Sequence, residues 1–583
     1  MARFRFFRKK PALRAFVVSQ SQSANDAQAP QRISAHGTKS KLAERARTRI
    51  SMVLVVFCAV FVGLGGRLAY VSMGFAAPAP HWSNAGDALG TSPRAEIVDR
   101  NGVLLAANLP MLALEVAGAE IWDARETARA LDSVLDGVDA AELEEKLAAG
   151  RYVEVRADLT PAEQEAVFAL GLPGVRFPPR THRYYPQESL AAHVIGHTVP
   201  GGGGVMGLEH LLDARREPGP LVASIDIRAQ QALEDELLQA MKTFSATAAW
   251  GGVIDVRTGE IIALASLPDF DPNAPGAAEA DWRRNRATYD LYELGSAFKT
   301  FTAAAVLEAG LGDESAEYDA SEPYRVADKV FADYHGENRI LTFSEVVQHS
   351  SNIGAARMAI ELGPERLRAA FAALGLTEAL PIELAENRAP NLPEKWGPVE
   401  TATVGFGHGI SVTPLHLLAA YAAVVNGGTY RPPTFLKAAE ARAGERALSP
   451  ETSAIMRRVL RRVITDGTAR QAEAAGYYPI GKTATAEKPA AGGYDRNALI
   501  ASFIGAFPGY APHYVVLVSL DNPKPTRGTY GFATAGWNAA PTFARLVARL
   551  APILQVPPAS DAAALAAFAR DAGASAPMMG GSK

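Results

Sequence analysis

Cysteine is nearly missing from the sequence: Cys58 is the only one among 583 residues. An intramolecular disulfide and a cysteine-ligated zinc site are therefore excluded. The formal net charge of -4 provides no whole-molecule attraction to nucleic acid or to other acidic polymers. With 48% hydrophobic and 21% charged residues the composition is that of a globular protein, and the length predicts two or three folded units.

Acidic residues are also scarce at the start of the chain, where Lys and Arg recur and only Asp26 and Glu44 oppose them. The middle of this stretch is rich in Ser, Gln and Ala and shows no apolar periodicity, which indicates a disordered basic tail at 1–49. A nucleic-acid-binding tail is one interpretation of this charge. The apolar segment that follows provides a better one.

Residues 50–71 hold one charged side chain, Arg67 near the far end, and reach the roughly 20 residues that span a bilayer. No Lys or Arg occurs between Arg67 and Arg94. The positive-inside rule therefore predicts a single transmembrane helix at 50–71, with the tail in the cytoplasm and the rest of the chain outside. A buried core helix and a cleaved signal peptide are the alternatives, and the long basic region argues against the second. An Ala-, Pro- and Gly-rich linker is predicted at 72–93.

The region 94–218 has the features of a support or docking domain, because no nucleophile in it stands near a base. Asn101-Gly102 between apolar runs predicts a hairpin turn. Helices are expected at three places, the last of them capped by Thr160: 124–135, 140–149 and 161–170. The histidines of this region lack the spacing of a recognised metal site and are interpreted as structural: His182, His193 and His197.

The region 219–556 predicts an α+β domain with an antiparallel sheet, because strands gather at both of its ends around a run of helices. Apolar runs on either side of Arg257-Thr-Gly259 predict a hairpin near its start. Later strands are expected at 499–507 and 514–520. Helices are expected at 228–242, 343–362, 364–374, 414–425, 450–465 and 541–551. The Ala-, Gly- and Ser-rich tail at 557–583 is predicted to be loose.

A serine and a lysine stand three residues apart in the stretch Tyr292-Glu-Leu-Gly-Ser-Ala-Phe-Lys-Thr300. If Ser296 opens the helix that the next residues predict, Lys299 lies one turn further on the same face. The amine can then reach the hydroxyl, which is the minimal arrangement for a serine nucleophile activated by a lysine base. Ser-x-x-Lys is common by chance, so its meaning depends on the motifs that follow it.

Two further motifs follow in the same region: Ser350-Ser-Asn352, and then Lys482-Thr-Ala-Thr485 close to the final strands. Each alone carries little information. In this order, Ser-x-x-Lys, Ser-x-Asn and Lys-Thr-x form the set that is typical of penicillin-binding proteins and class A β-lactamases.

On these motifs the chain resembles a class B penicillin-binding protein, a membrane-anchored peptidoglycan D,D-transpeptidase, from the predicted anchor to about Val556. The resemblance implies a penicillin-binding, serine-transpeptidase fold at 219–556, preceded by a pedestal domain of the dimerisation type at 94–218. The likeness is greatest to the cell-division member of the family, on the stretches 482–488, 496–505 and 530–536. Further family motifs are Arg94, Asp99-Arg-Asn-Gly102, Arg183, His193, Glu209, Asn285-Arg286 and Gly407-His-Gly409.

The chain departs from the family pattern at two positions. Ala484 stands where the family has glycine, and its methyl group is expected to add bulk where a substrate backbone would lie along the strand. Leu294 replaces the usual proline before Gly295, which should affect the stiffness of the loop more than its chemistry.

The resemblance implies a role in acyl transfer for each motif residue. Ser296 attacks the carbonyl of a D-alanyl-D-alanine stem peptide, and Lys299 is the general base, for which burial and the nearby cation Lys482 must lower its pKa. Ser350 relays a proton to the leaving amine, and Asn352 holds Lys299. The other side chains of the motifs are expected to bind substrate: Ser351, Thr483 and Thr485. The backbone N–H groups of Ser296 and Thr485 are expected to form an oxyanion hole.

No metal and no organic cofactor is expected. The resemblance implies stem peptides, β-lactams, a membrane glycosyltransferase and cell-division proteins as partners, and a catalytic domain in the periplasm of a single-pass inner-membrane protein; nucleic acid is not expected. The alternatives are an elongation-type transpeptidase, a β-lactamase- or carboxypeptidase-like hydrolase, and a catalytically silent β-lactam-binding scaffold. His349 and His408, which flank motif residues, are interpreted as structural because Lys299 already supplies a base.

Overall fold

The computed structural model describes residues 94–199, 202–438, 443–490 and 493–574, with a few residues between 52 and 62. The chain divides into one unit at Met1–Ser83 and a second at Asn84–Lys583. The predicted basic tail and linker, and most of the predicted transmembrane helix at 50–71, lie outside the described residues. Within the described ranges, no helix combines the length and the apolar character that crossing a membrane requires.

The first part of the second unit is a sheet with short helices. Its elements in chain order are β1 (Ile97–Val98), β2 (Leu104–Ala117), α1 (Ala124–Asp132), α2 (Ala140–Ala148), β3 (Tyr152–Leu159), α3 (Pro161–Ala169), β4 (Val175–Arg176), β5 (Pro179–Tyr184), α4 (Ala192–Ile195), α5 (Gly207–Ala214) and β6 (Leu221–Val222). The predicted hairpin at Asn101-Gly102 joins β1 to β2 and is confirmed. The predicted Thr160 cap is also confirmed, as a capping box with Glu163.

The long strand β2 connects two hydrophobic cores. It pairs antiparallel with β1, β3, β4 and β5, while β1 pairs parallel with β6. Leu105 near its start belongs to the large core of the second unit, whereas Leu114 and Val116 near its end belong to a separate small core with α1, α2 and α3. One strand thus carries a small subdomain that is rooted in the large core.

A buried carboxylate stabilises the junction between this small subdomain and the large core. Glu209 on α5 is fully buried and accepts hydrogen bonds from Arg94 and from the Nε of Arg183, the latter at 2.7 Å. Arg183 also donates to Asn108 Oδ1 at 3.0 Å, on β2. Glu209 has no exposed surface, and among the described residues its ion-pair partners are the guanidinium groups of Arg94 and Arg183.

Glu209→Gln is expected to lower the free energy of unfolding by about 3–5 kcal/mol, because it leaves two guanidinium groups without their buried partner. Asp213→Asn is the matched control: Asp213 binds the same Arg94 at 2.6 Å but is 37% exposed, and its loss should cost below about 1 kcal/mol. Urea unfolding followed by tryptophan fluorescence measures both. An equal loss of unfolding free energy in the two variants would contradict this role of Glu209.

The rest of the second unit alternates strands and helices. Its elements are α6 (Ile227–Phe244), β7 (Ala248–Asp255), β8 (Ile261–Leu267), α7 (Lys299–Glu308), β9 (Glu317–Asp319), β10 (Tyr324–Val326), β11 (Lys329–Phe331), β12 (Ile340–Thr342), α8 (Phe343–Gln348), α9 (Asn352–Leu362), α10 (Pro364–Ala373), α11 (Pro398–Gly405), α12 (Pro414–Val425), β13 (Thr429–Tyr430), β14 (Glu445–Arg446), α13 (Pro450–Thr465), β15 (Ile480–Ala490), β16 (Gly493–Phe507), β17 (Tyr514–Asp521), α14 (Ala539–Ile553) and α15 (Asp561–Ala574).

A five-stranded antiparallel sheet in the order β15-β16-β17-β7-β8 forms the centre of this part, which confirms the predicted α+β class. Every residue of β7 and β8 is buried, since helices cover both faces of the sheet. A Cβ on Gly251 would meet Leu233 of α6, whereas a Cβ on its neighbour Gly252 would meet Leu418 of α12. The sheet therefore lies between two helical layers, and β15 is one of its edges.

The sequence predicts one helix at 343–362, and this prediction is wrong: α8 ends at Gln348, and α9 begins at Asn352. Ser350 between them has a left-handed backbone with φ +63, a conformation that disrupts an α-helix. Ser351 then caps α9, its hydroxyl accepting from the backbone N–H of Gly354 at 3.0 Å. The break places the second motif in a tight connection between two helices.

The predicted loose tail at 557–583 also needs correction, because α15 lies within it. The hydroxyl of Tyr478 donates to Asp561 at the start of α15, and Phe568 packs against the large core. Residues 575–583 lie outside the described part of the chain.

Candidate active site

Ser296 lies on a short turn at the start of the buried helix α7. The turn is a 3-10 helix over Gly295–Ala297, and α7 begins at Lys299. Gly295 has a left-handed backbone with φ +47, which a residue with a side chain rarely adopts. A Cβ on Gly407 would collide with the carbonyl oxygen of Gly295, so the two glycines allow two loops to touch. Ser296 itself is only partly buried, so its hydroxyl borders the surface.

Lys299 is 1% exposed, and the second motif surrounds its amine. The Nζ atom donates to Asn352 Oδ1 at 2.7 Å, to Ser350 Oγ at 3.2 Å and to the backbone oxygen of Ser350. The sequence predicts that this amine reaches the hydroxyl of Ser296. In the described residues no hydrogen bond joins the two groups, and the amine is instead held by Ser350 and Asn352.

Ser350 lies between two lysines. Its Oγ accepts from Lys299 Nζ and also from Lys482 Nζ, the latter at 2.9 Å, and Lys482 is fully buried. The left-handed backbone of Ser350 is costly for a residue with a side chain and persists only where the surroundings hold it. The three motifs thus meet at Ser350, because its hydroxyl accepts hydrogen bonds from one lysine of each of the other two motifs.

Burial lowers the tendency of both amines to carry a positive charge. Burial lowers the pKa of Lys299 to about 7, and the nearby carboxylate of Asp333 opposes this shift. Burial, and then the charge of Lys299, lower the pKa of Lys482 well below its ordinary value. A pair of ammonium groups that share one buried hydroxyl cannot both stay charged without a large desolvation cost. A neutral lysine at physiological pH is therefore available to act as a base.

Asp333, which sequence reasoning missed, fixes the second motif from outside. Its Oδ2 accepts from Ser351 Oγ at 2.7 Å, and its Oδ1 accepts from the backbone N–H of Asn352 and, at 3.0 Å, from that of Ile353. A carboxylate at the start of α9 also interacts favourably with the helix dipole. No motif spacing links Asp333 to Ser351, so only the fold reveals this contact.

Ser351 is predicted to bind substrate, and the structure gives it a different place. It is 3% exposed, and its hydroxyl is committed to Asp333 and to the cap of α9. The side chain therefore supports the second motif from behind instead of lining the cleft.

The third motif runs along the edge strand β15. Lys482 and Ala484 point to one face of the strand and Thr483 and Thr485 to the other, as strand geometry requires. Thr483 Oγ1 lies 2.8 Å from Thr468 Oγ1, and Thr485 Oγ1 accepts from the backbone N–H of Ala535 at 3.1 Å. The two threonines therefore stand on the face opposite to the buried Lys482, next to an edge that an extended peptide can extend by one strand.

Ala484 does not obstruct this edge in the way that the sequence suggests. Its side chain is 3% exposed and belongs to the large hydrophobic core. The methyl group points into the protein together with the Lys482 side chain, so the bulk that it adds lies behind the strand.

Ala484→Gly is accordingly expected to destabilise the fold by about 1–2 kcal/mol, because it removes a buried methyl group and loosens a strand. The rate of labelling by a fluorescent penicillin should stay within about threefold of wild type, since the methyl does not face the cleft. A large increase in that rate would instead show that the alanine narrows the site.

Asp333→Asn is expected to slow the same labelling about ten- to a hundredfold, because it weakens the clamp that positions Ser350 and Asn352 around Lys299. Ser351→Ala is the comparison: it removes one hydrogen bond to Asp333 and the cap of α9 but leaves the carboxylate in place, and it should have a smaller effect. A penicillin-labelling rate that is unchanged in Asp333→Asn would refute the positioning role.

The two histidines beside the motifs make local contacts. His349 Nδ1 lies 3.4 Å from Glu337 Oε1, and the ring of His408 packs against Phe406 and Tyr494. Across the described ranges, no group of three or more His, Cys, Asp or Glu side chains is arranged to hold a metal ion.

Comparison with known families supports this interpretation. Residues 251–547 match the penicillin-binding protein transpeptidase domain, and residues 90–203 match the penicillin-binding protein dimerisation domain. The chain is 41% identical over 535 residues to the probable peptidoglycan D,D-transpeptidase FtsI of Caulobacter vibrioides, covering 87% of this chain and 89% of that protein. It is 31% identical over 560 residues to the probable peptidoglycan D,D-transpeptidase PenA of Neisseria meningitidis, covering 89% and 95%.

Among solved structures, the chain is similar to penicillin-binding protein 3 of Mycobacterium tuberculosis in complex with aztreonam. The TM-score is 0.63 with 25% sequence identity, over 80% of this chain and 98% of that one.

Proposed function

We infer the activity from the family: the chain belongs to the penicillin-binding proteins that carry a dimerisation and a transpeptidase domain. We propose that it is a serine-type D,D-transpeptidase that crosslinks peptidoglycan stem peptides through an acyl-enzyme. The observation that carries the proposal is the hydroxyl of Ser350, held between the buried amines of Lys299 and Lys482, with Ser296 in the turn that precedes Lys299.

Acylation begins with proton removal from Ser296. Lys299 in its neutral form takes the proton, directly or through Ser350, and Ser296 Oγ attacks the carbonyl carbon of the penultimate D-alanine. The backbone N–H groups of Ser296 and Thr485 bind the developing oxyanion, each contributing about 3 kcal/mol. Ser350 passes a proton to the departing D-alanine as the peptide bond breaks.

Lys482, Thr483 and Thr485 recognise the terminal carboxylate of the donor peptide. The threonines provide hydroxyls on the face of β15 opposite to Lys482, and the buried amine of Lys482 donates a hydrogen bond to Ser350. Asn352 holds Lys299 and offers its amide to the substrate backbone. A β-lactam presents a carboxylate and an acyl group in a similar arrangement, so we propose that it acylates the same serine.

We further propose a role in septal wall synthesis during cell division. The support is the sequence 482–488 and the relatives named FtsI in Caulobacter vibrioides and, at 28% identity, in Escherichia coli. We propose an inner-membrane location with one transmembrane helix at 50–71, a cytoplasmic N-terminus and a periplasmic catalytic domain, on the apolar run and the charge asymmetry around it. A membrane glycosyltransferase and cell-division proteins are the proposed partners.

Labelling of the detergent-solubilised chain with a fluorescent penicillin tests the acyl-enzyme. Wild type should keep the label for many minutes, and Ser296→Ala should take none. Ser315→Ala, which changes a hydroxyl on an exposed turn, is the control and should label like wild type.

Other outcomes of the labelling would favour a different activity. Loss of the label within seconds would favour a β-lactamase- or carboxypeptidase-like hydrolase. Persistent label without transfer of a donor peptide to any amine would favour a silent scaffold, and the absence of label on wild type would refute the mechanism. Localisation of a fluorescent fusion distinguishes a midcell band from the dispersed pattern of an elongation-type enzyme.

A further inference from the structure

Three segments meet at one side of Ser296 and form a wall of charged and aromatic groups. Gly407 touches the backbone of Gly295, and a Cβ on Gly295 would lie 3.4 Å from the carbonyl oxygen of Thr485. The residues next to these contacts therefore share one corner of the cleft. We call their side chains the acidic wall: Glu293, His408, Glu487 and Tyr494.

Glu293 is fully engaged within this wall. Its Oε1 accepts from the backbone N–H of Gly409 at 3.2 Å, and its Oε2 accepts from the hydroxyl of Tyr494 at 2.9 Å. Tyr494 lies near the tip of the β15–β16 hairpin, and its ring also packs edge-on against His408. Glu293 thus joins the hairpin to the loop that carries Gly407, three residues before Ser296 in the chain.

Glu487 has no such structural task. It is partly buried on β15, two residues after Thr485, and it makes no hydrogen bond or ion pair with any residue that the structure describes. Its neighbour Lys488 is paired with Asp521 at 2.9 Å and so does not neutralise it. The wall therefore presents a carboxylate that is available to a ligand.

The charges of the wall and of the catalytic amine act on one another. Burial lowers the pKa of His408; Glu293 and Glu487 oppose this shift, and Lys299 adds to it. Burial raises the pKa of Tyr494 to about 12, and Glu293 and Glu487 add to this rise. Both carboxylates therefore lie near His408 and Tyr494, and burial disfavours a positive charge on His408.

The second step of the proposed reaction, transfer of the acyl group, requires an amine. On the proposed function, the acyl group on Ser296 passes to an amine of a second stem peptide, and an aliphatic amine in water is an ammonium ion near neutral pH. The hydroxyls of Thr483 and Thr485 can donate hydrogen bonds to the carboxylate of the donor peptide. The acidic wall adds two carboxylates near Gly295, and a carboxylate suits an ammonium ion.

We propose that Glu487, with Glu293 beside it, binds the ammonium group of the acceptor stem peptide and positions it for attack on the acyl-enzyme. This inference rests on the proposed function and names the residues that select the second substrate. The ammonium gives one proton to neutral Lys299. Its nitrogen then attacks the ester carbonyl, the C–N bond forms and the C–Oγ bond breaks. The second nitrogen proton goes to Ser296 Oγ, and Lys299 releases its proton to water.

The test uses the full chain in detergent, a thioester donor and two acceptors that differ in charge. Nα-acetyl-lysinamide carries one ammonium group, and hydroxylamine is uncharged near neutral pH. The measured quantity is the ratio of transfer to lysinamide over transfer to hydroxylamine. In Glu487→Gln this ratio should fall about tenfold, the size of effect expected for one well-placed charge pair.

Two variants act as controls. Glu487→Asp keeps the charge and should recover most of the ratio, and Glu145→Gln, which removes an exposed carboxylate from α2, should leave the ratio unchanged. The advantage of wild type over Glu487→Gln should shrink at high salt, because screening weakens a charge interaction but not a packing contact.

An equal loss of transfer to both acceptors would overturn the inference, since it would show that Glu487 supports the fold or the acylation step. An unchanged ratio would overturn it as well. Failure of the proposed function is distinguishable: wild type would then transfer the donor to neither acceptor, whatever happens in the Glu487 variants.

Discussion

The burial of two lysine amines around one hydroxyl is the constraint on which the rest of this structure depends. An ammonium group is costly to remove from water, and two neighbouring ones raise that cost further. Lys299 and Lys482 nevertheless lie almost completely inside the protein, with Ser350 between them. The protein meets the cost by lowering the charge of the amines and by supplying each with oxygen acceptors. A base that is neutral near physiological pH is the chemical result.

The surrounding elements can be understood as supports for that arrangement. The left-handed backbone of Ser350 interrupts a helix and brings its hydroxyl to the amines, and Asp333 holds the following turn in place. The two glycines Gly295 and Gly407 allow the loop of Ser296 to pack closely. Strand β15 brings Lys482 to the same point from the edge of the sheet. Buried residues thus position the catalytic side chains, whereas the substrate contacts only the residues at the surface of the cleft.

Different groups near the nucleophile suit the two substrates. The hydroxyls of Thr483 and Thr485 can donate hydrogen bonds to the carboxylate that ends the donor peptide. At the proposed acceptor site, Glu293 and Glu487 attract the acceptor, which arrives as an ammonium ion. Water carries no such charge, and this difference favours transfer over hydrolysis.

The sequence predicted the parts of this picture that short-range patterns encode. The predicted helices 414–425 and 450–465 have the same bounds as α12 and α13. Their starts are marked in the sequence by a capping residue followed by proline. The three motifs identified the family and the residues that converge on Ser350. The sequence could not reveal contacts that only tertiary packing creates.

Three residues illustrate that limit. Asp333 lies in a loop without motif spacing, and its partners become visible only when β11 and α9 pack together. From the sequence, Ser350 is expected inside a helix. Helix propensity contains no information about a backbone conformation that the surrounding structure imposes. From the sequence, the methyl group of Ala484 is expected to hinder the substrate, whereas in the structure it belongs to the large hydrophobic core.

The pH dependence of Ser296 acylation by a penicillin tests the central claim most directly. If a buried, neutral Lys299 is the base, the second-order rate constant should rise with pH and reach half of its maximum at about pH 7, because the protonated amine below that pH cannot accept a proton. A half-maximum near pH 10.4, the ordinary pKa of lysine, or a rate that does not change with pH, would contradict the account.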